Sequence, residues 1–312
     1  MLYLTYDNET LIDGAGAQLQ RILTIYSIAK FYNLGYIHRG LKKISYQGAK
    51  CLEDNYLDPK QVDDYNKLFV LPSTPLLTPF TNIYNVVGIT EEMINLLKNE
   101  PGDTLIVAQF AQLIIDKNPE IMLQPIPLAW TIRPTLLARP VNVAIHIRKG
   151  DLFVLASERM LPNSYYVKCM RALHTLFTQA GIPYEFHLHT EVITKPTLIT
   201  ADHHGICDKT IKSTVLKPED NHLEDFDEFV GCKFHINEYP IDTLKALVLS
   251  DVLLASRSSF SYIAGFLKNK GVILFHPFWH CLLPDWIPCQ DAKDIFDAKD
   301  KILKSLPAFK MT

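Results

Sequence analysis

Short apolar segments alternate along the chain with longer segments whose apolar residues recur at helical spacing. The chain opens with MLYLTY (1–6), which has the composition of a buried strand. LQRILTIYSIAKFYNL (19–34) follows with apolar residues every three or four positions, and Gly35 is suited to end that helix before YIH begins another strand. This opening pattern predicts a βαβ unit.

The pattern is weaker over residues 55–125. LPSTPLLTPF is punctuated by proline and predicts a loop, whereas TEEMINLLKN predicts a helix capped by Thr90 and DTLIVAQF predicts a strand. The two prolines of WTIRPTLLARP (130–140) interrupt the alternation. We expect a domain boundary there.

After residue 140 the alternation becomes regular. VNVAIHI, YEFHLHT, CKFHINEY, VLLASR and GVILFHP predict strands, and the segments between them predict helices, the first capped by Asn163 or Ser164. Strands that alternate with helices form a parallel sheet wound on both faces. The sequence therefore predicts an α/β protein with a domain at 1–135, a second at 136–290, and a C-terminal helix at 291–312 packed back on the body.

Composition narrows the class of protein. Apolar residues make up 48% of the 312 residues, and the net charge is −3, so no global field favours nucleic acid or an anionic membrane. The N-terminus lacks the basic region of a signal peptide, and no apolar run approaches 18 residues. The six cysteines form no C-x-x-C pair. We expect a cytoplasmic protein with reduced thiols.

One strand ends in an unusual cluster of ionisable residues. VNVAIHIRKGD (141–151) runs from apolar alternation into His146, Arg148, Lys149 and Asp151. Ligands collect at the carboxyl ends of parallel strands, and an arginine there can hold phosphate oxygens bidentately. The alternative is a solvated strand end with a weak Arg148–Asp151 surface pair.

Two further junctions between a predicted strand and a predicted helix are suited to binding an anion. GAGAQ (14–18) opens the first helix, but Leu19 stands where a dinucleotide loop has its third glycine. ASRSSFSYIAGF (255–266) places Ser258, Ser259 and Ser261 at another helix start. Helix capping explains one of these serines, and hydrogen bonds to a diphosphate would use the others.

HLHTE (187–191) carries His187, His189 and Glu191 at the end of a further strand. The spacing is compatible with zinc, although the sequence identifies no third convergent ligand, and the predicted metal set is therefore none. The alternative is the ordinary alternation of exposed polar residues.

Taken together, these segments resemble the α1,2/α1,6 and protein O-fucosyltransferase superfamily, and most closely its α1,2-type members. HIRKGD resembles the H-x-R-R-x-D motif, GAGAQL resembles the G-x-G-x-Q segment, and SRSSFSYIAGF resembles the S-T/S-F-S-W/Y-A-A segment. LPNSYYVKCMRAL is similar to the stretch that often follows the arginine motif. The chain departs from the family at HTE, where SDD is common, at Ala17, and at Lys149 in place of the second arginine.

This resemblance implies two Rossmann-like domains facing across a cleft, the GT-B arrangement, with GDP-fucose held by the second. Arg148 would hold the β-phosphate, His146 would face the nucleotide, and Asp242 would accept hydrogen bonds from guanine, unless it only caps its helix. Asp151 would orient the arginine loop. The nucleotide-sugar-binding residues expected in this way are Gly14, Gly16, Gln18, His146, Arg148, Lys149, Asp151, Asp242, Ser258, Ser259, Phe260 and Ser261.

The implied reaction is inverting transfer of L-fucose from GDP-β-L-fucose to a hydroxyl of a glycan acceptor. Arg148 would stabilise the departing diphosphate, with no metal and no other cofactor required. Asp13, beside the glycine loop, is the first candidate for the general base, and His146 is the second. The sequence predicts neither the acceptor nor the oligomeric state.

Three other functions remain open. A glycosyltransferase for another nucleotide sugar would share the phosphate site, and a non-catalytic nucleotide- or carbohydrate-binding protein would keep the cleft without turnover. An NAD-dependent oxidoreductase is disfavoured, because GYIHRG (35–40) supplies no acidic ribose ligand about 20 residues beyond the glycine loop.

Overall fold

A computed structural model of the chain describes residues 1–10, 13–76, 79–129, 139–150, 152, 159–200, 213–268 and 270–306. Its residues cluster into two compact units, which we describe separately. Unit 1 comprises Met1–Ser45, Asp58–Thr131 and Trp279–Pro284, and unit 2 comprises Tyr46–Leu57, Ile132–Phe278 and Asp285–Thr312.

The described elements are numbered in chain order. The strands are β1 (Leu2–Tyr6), β2 (Gly35–Tyr36), β3 (Asn82–Gly88), β4 (Thr104–Phe110), β5 (Val141–Ile147), β6 (Tyr184–Thr190), β7 (Thr197–Thr200), β8 (Ser213–Leu216), β9 (Lys233–Ile236), β10 (Val252–Ala255), β11 (Val272–Phe275) and β12 (Ile287–Pro288). The α-helices are α1 (Ala15–Phe31), α2 (Ala49–Asp54), α3 (Pro59–Leu68), α4 (Glu91–Leu97), α5 (Gln112–Lys117), α6 (Asn163–Gln179), α7 (Pro240–Leu249), α8 (Ser259–Leu267), α9 (Ala292–Asp297) and α10 (Lys299–Ser305).

Unit 1 contains a four-stranded parallel sheet in the order β2-β1-β4-β3. Helix α1 ends at Phe31, and Asn33 takes the left-handed backbone conformation (φ 54°) after it. The expectation that Gly35 would end this helix is therefore wrong. Gly35 instead lies in β2, so close to the Tyr3 ring that an added Cβ would stand 2.2 Å from Tyr3 Cδ1.

Unit 2 is built on a six-stranded sheet in the order β12-β11-β10-β5-β6-β9, in which every neighbouring pair is parallel. When only the six strands of this sheet are numbered, leaving out β7 and β8, their order is that of the doubly wound sheet. The strand order reverses between β5 and β10, so that two loops diverge to opposite faces at that point. Sheets of this kind bind ligands at the carboxyl ends of such strands.

Strand β5 is buried on both faces. Val143, Ile145 and Ile147 face a core that includes Met170 and Phe177 of α6. The alternate residues face the other side of the sheet, as the period of a strand requires. The continuous apolar run of β5 thus has the pattern of a central parallel strand.

The α/β class with parallel strands, predicted from the alternation of segments, is confirmed by these sheets. Thr90 caps α4 through the Met93 amide, also as predicted. The expected Asn163 or Ser164 cap is wrong: Pro162 occupies the cap position of α6, and the Asn163 side chain donates to His222 O instead. The predicted boundary near residue 135 falls outside the described residues and stays a prediction.

The C-terminal segment forms two short helices, α9 and α10, whose Ile295 and Ile302 belong to the core of unit 2. Within the described ranges, no helix is both long and apolar enough to cross a bilayer. The described cysteines form no disulfide, and Cys207 lies outside the described residues.

Two glycine variants test the close packing at the start of β11. Gly271 precedes β11 with φ +102°, and an added Cβ would stand 2.3 Å from Asp251 O, which accepts the Val272 amide. We expect Gly271→Ala to lower the free energy of unfolding by about 1–2 kcal/mol through backbone strain and by about 1–3 kcal/mol more through overpacking. Urea denaturation measures the change.

Gly181→Ala is the matched control, because Gly181 also has a positive φ (+65°) but has no atom within 4 Å of an added Cβ. It should show the backbone cost alone. Equal losses of stability in the two variants would contradict the close packing between Gly271 and Asp251.

Candidate functional site

The candidate site lies at the carboxyl ends of β5 and β10, where the strand order of unit 2 reverses. Ile145 pairs with Leu254, so His146 and the residues after Ala255 lie side by side. His146, which faces the side of the sheet opposite α6, is only 8% exposed. A buried polar side chain in this position must find a partner within the protein.

Ser256 supplies that partner. Its Oγ lies 2.8 Å from His146 Nδ1 and 3.2 Å from Ser261 Oγ, and Ser261 also donates to Ser256 O at 3.1 Å. Ser256 joins the end of β5 to the first turn of α8. The sequence analysis missed it because it belongs to the strand-to-helix turn rather than to the helix start.

The His146 ring is held neutral by its surroundings. Burial first, and then the nearby Arg148 guanidinium and the His189 ring, lower the pKa of His146 to about 3. The Phe260 ring covers it at a centroid distance of 5.6 Å. A histidine in this state can donate or accept a hydrogen bond, but it is a weak general base near neutral pH.

The three predicted serines have different environments. Ser258 caps α8, accepting the Phe260 amide at 3.2 Å. Ser261 is fully buried and is bound to Ser256 and to Ser258 O. Ser259 is the first residue of α8 and is 8% exposed. The first turn of α8, where amides lack helical acceptors, thus begins beside His146.

Arg148 belongs to a cluster of three side chains within unit 2. Its Nη1 donates to Glu191 Oε2 at 3.2 Å, and its guanidinium stacks on the Tyr46 ring at 4.6 Å. The Tyr46 hydroxyl donates to the same Glu191 oxygen. Gly150 (φ +70°) allows this approach, because an added Cβ would stand 2.7 Å from the Tyr46 hydroxyl. Tyr46 belongs to none of the motifs that the sequence singles out.

Lys149 points away from this cluster. Lys149 is only 4% exposed, and its ammonium donates to the Asn221 carbonyl. The side-chain amide of Asn221 in turn donates to Ile193 O and Pro218 O. Burial lowers the pKa of Lys149 to about 8. The structure therefore places Lys149 as a buried anchor for the segment after β8, and its assignment to the nucleotide stays a prediction.

Two further residues of the predicted set are Asp242 and Asp151. Asp242 is exposed in the first turn of α7, where Tyr239 and not Asp242 occupies the cap position, so the helix-cap alternative for Asp242 is wrong. Asp151 lies outside the described residues. Both nucleotide assignments stay predictions.

The glycine loop belongs to unit 1. Gly14 is the N-cap of α1 and Gly16 lies within its first turn, so the loop is shorter than the sequence indicates. Gln18, 2% exposed, donates to Asp13 O and Lys43 O at 2.6 and 2.7 Å. The Asp13 carboxylate pairs with Arg21 at 2.7 Å, and its side chain is 45% exposed. Gln18 thus holds the loop together, and Asp13 keeps access to solvent.

No protein-family model and no curated protein matches this sequence. Among solved structures, the chain is similar to POFUT1 in complex with GDP-fucose, with 11% identity and a TM-score of 0.40 over 86% of this chain and 94% of that one. It is also similar to the iron-containing dodecameric glycosyltransferase TibC from enterotoxigenic E. coli H10407, with 8% identity and a TM-score of 0.32 over 91% of this chain. The chain spans only 62% of that TibC chain. At these scores the likeness is distant, and it identifies no activity.

The buried Lys149 predicts a pH dependence of stability. Its pKa is about 8 in the folded protein against an ordinary 10.5, so between these values the unfolded chain binds more protons and the free energy of unfolding rises with pH. The slope approaches about 1.4 kcal/mol per pH unit at most. Urea denaturation from pH 7.5 to 10.5 should show the stability of the native protein rising relative to Lys149→Met.

Lys268 is a second buried lysine with a pKa near 8, and it adds a rise in both proteins. The difference between native and variant isolates Lys149. Lys98→Met, at an exposed position, controls for the loss of a positive charge. A stability difference that stays constant over this pH range would contradict the buried ammonium.

Proposed function

We propose that the chain is a glycosyltransferase that moves L-fucose from GDP-β-L-fucose to a hydroxyl of a glycan acceptor, with inversion at the sugar carbon. The observation that carries the proposal is the junction of His146, Ser256 and the serine-capped start of α8 at the strand-order reversal of unit 2, with Arg148 two residues further along. The motif resemblance across HIRKGD and SRSSFSYIAGF supports the same assignment.

The donor diphosphate is assigned to the start of α8 and to Arg148. Amides of a first helical turn attract phosphate oxygens, and the serine hydroxyls around them add donors. Arg148 has a planar fork that matches phosphate, and the Tyr46 ring supports the guanidinium from one side. The Glu191 carboxylate pairs with Arg148 at 3.2 Å. A diphosphate carries more negative charge than one carboxylate and would compete for it.

His146 is assigned a binding role. If Ser256 donates to Nδ1, the proton of the neutral ring lies on Nε2, where it can be donated to the nucleotide. Its pKa of about 3 makes it a weak general base near neutral pH. We therefore assign the general base to Asp13, whose carboxylate is partly solvent-accessible.

The GT-B arrangement of the two units, the guanine contact of Asp242 and the orienting role of Asp151 follow from the resemblance alone. The proposed transfer needs no metal at the diphosphate, because Arg148 and the α8 donors supply the stabilisation of the leaving group.

The proposed activity is tested by GDP release from GDP-fucose in the presence of a panel of glycans. We expect acceptor-dependent release, and we expect calorimetry to show tighter binding of GDP than of ADP or UDP, with EDTA present or absent. Arg148→Ala should abolish turnover and leave the thermal midpoint within a few degrees, because the arginine pairs with a partly exposed carboxylate.

Arg171→Ala is the matched control, since Arg171 forms a bidentate pair with Glu228 on the surface of unit 2. It should keep full activity. Tighter binding of UDP would point to another nucleotide sugar, and GDP-fucose binding without turnover on any glycan would point to a binding protein. Full activity of Arg148→Ala would contradict the assigned site.

A further inference from the structure

Three histidines lie in one row across neighbouring strands of the unit 2 sheet. His146 of β5 pairs in register with His189 of β6, and His189 pairs with His235 of β9. Residues directly opposite each other in a sheet project from the same face. The His189 and His235 rings are accordingly stacked, with centroids 4.3 Å apart and planes 11° apart. This stack lies at the β9 edge of the sheet.

His189 has an unsatisfied ring nitrogen. The side chain is 2% exposed, and Nδ1 is buried without a hydrogen-bond partner among the described residues. The nearest acidic group is Glu238, whose Oε2 lies 3.9 Å away, beyond hydrogen-bond distance. A buried polar atom in this state calls for an explanation, and an ion is one of the recognised ones.

His235 and Glu238 complete a set of three ligand atoms. His235 Nδ1 lies 2.7 Å from Glu238 Oε1, and one ligand atom from each of the three residues falls within 4.8 Å of the others. Tetrahedral ligands about 2.0–2.1 Å from a zinc ion stand roughly 3.3 Å apart. The separations from the two histidines are measured to the two oxygens of one carboxylate, 2.7 Å from His235 Nδ1 to Oε1 and 3.9 Å from His189 Nδ1 to Oε2, and they lie on either side of that value.

An outer partner orients His235. Its second ring nitrogen, Nε2, lies 3.0 Å from His187 Nδ1, and His187 Nε2 faces Glu185 at 3.5 Å. Histidines that bind metals usually have the other nitrogen held in this way, because the contact fixes the ring orientation. With Nε2 held by His187, Nδ1 is the His235 nitrogen that faces the Glu238 carboxylate.

We propose that His189, His235 and Glu238 bind a divalent first-row transition metal ion of the zinc type. Two imidazole nitrogens and one carboxylate favour zinc over calcium or magnesium, which prefer oxygen ligands. Three protein ligands leave a fourth position for water. Glu238 and His235 have side chains 39% and 26% exposed, which gives the ion a route from solvent.

The ion would tie the end of β6 to the loop between β9 and α7, at an edge strand of only four residues. None of its ligands is among the residues assigned to the donor. The inference therefore stands whether or not GDP-fucose is the substrate. The sequence singles out His189 but not its partners, because His235 on β9 lies 46 residues further along the chain and Glu238 lies in the loop after β9.

The test is metal binding by the purified full chain without nucleotide. The chain is stripped with a chelator, dialysed and then reloaded separately with zinc and with cobalt. We expect one equivalent of zinc per chain by mass spectrometry and one equivalent of cobalt with visible d–d absorption. His189→Gln and Glu238→Gln should each weaken zinc binding by more than the roughly 10- to 100-fold expected for loss of an outer partner. His187→Ala should fall within that smaller range.

His222→Gln is the matched control, because His222 faces Glu224 at 3.3 Å on the exposed surface as a simple histidine–carboxylate pair. It should bind zinc normally. Glu238→Gln changes a partly exposed side chain, so circular dichroism should show it folded. Substoichiometric zinc on the native chain, or unchanged affinity in folded Glu238→Gln, would overturn the proposal.

Discussion

The central position of β5 in a six-stranded parallel sheet constrains the chemistry at its end. On a strand covered on both faces, a polar side chain left without a partner costs about 1–3 kcal/mol. His146 is the last residue of β5 whose side chain projects toward the α8 side, and Ser256 satisfies it. That side-chain hydrogen bond joins the carboxyl ends of β5 and β10, the two paired strands at which the sheet reverses its order.

The same constraint separates two cations that the sequence presents as equals. Arg148 and Lys149 are consecutive, so their side chains leave the strand end in opposite directions. Arg148 reaches the Tyr46 ring and a carboxylate that a stronger anion can replace. Lys149 turns inward to a backbone carbonyl and gives up part of its basicity. Of the two, Arg148 is the residue to which the proposed function assigns the donor diphosphate.

The order of strands and helices was more predictable from the sequence than the positions at which the helices begin and end. The strand and helix alternation of unit 2 was predictable because buried parallel strands are continuous apolar runs between glycine and serine turns. Capping by one of the three serines was expected, and the structure gives that role to Ser258. Helix boundaries were less predictable. Pro162 occupies the N-cap position of α6 for which Asn163 was expected, and Asn33 takes the left-handed conformation after α1 that was expected of Gly35.

Contacts between distant parts of the chain could not be predicted. Tyr46 and Glu191 are 145 residues apart, and no local pattern connects them. The sequence also does not indicate which strand pairs with β6. The pairing with β9 places His235 opposite His189. Gln18 was expected from its motif to bind the nucleotide sugar. In the structure its side chain is buried and donates to Asp13 O of the glycine loop.

Hydrogen–deuterium exchange of the full chain with and without GDP tests the central claim, that the ligand site lies at the β5 and β10 ends. The account predicts slower exchange on adding GDP in peptides covering residues 146–150 and 256–262. Protection confined to the glycine loop of unit 1, around residues 13–21, would contradict it.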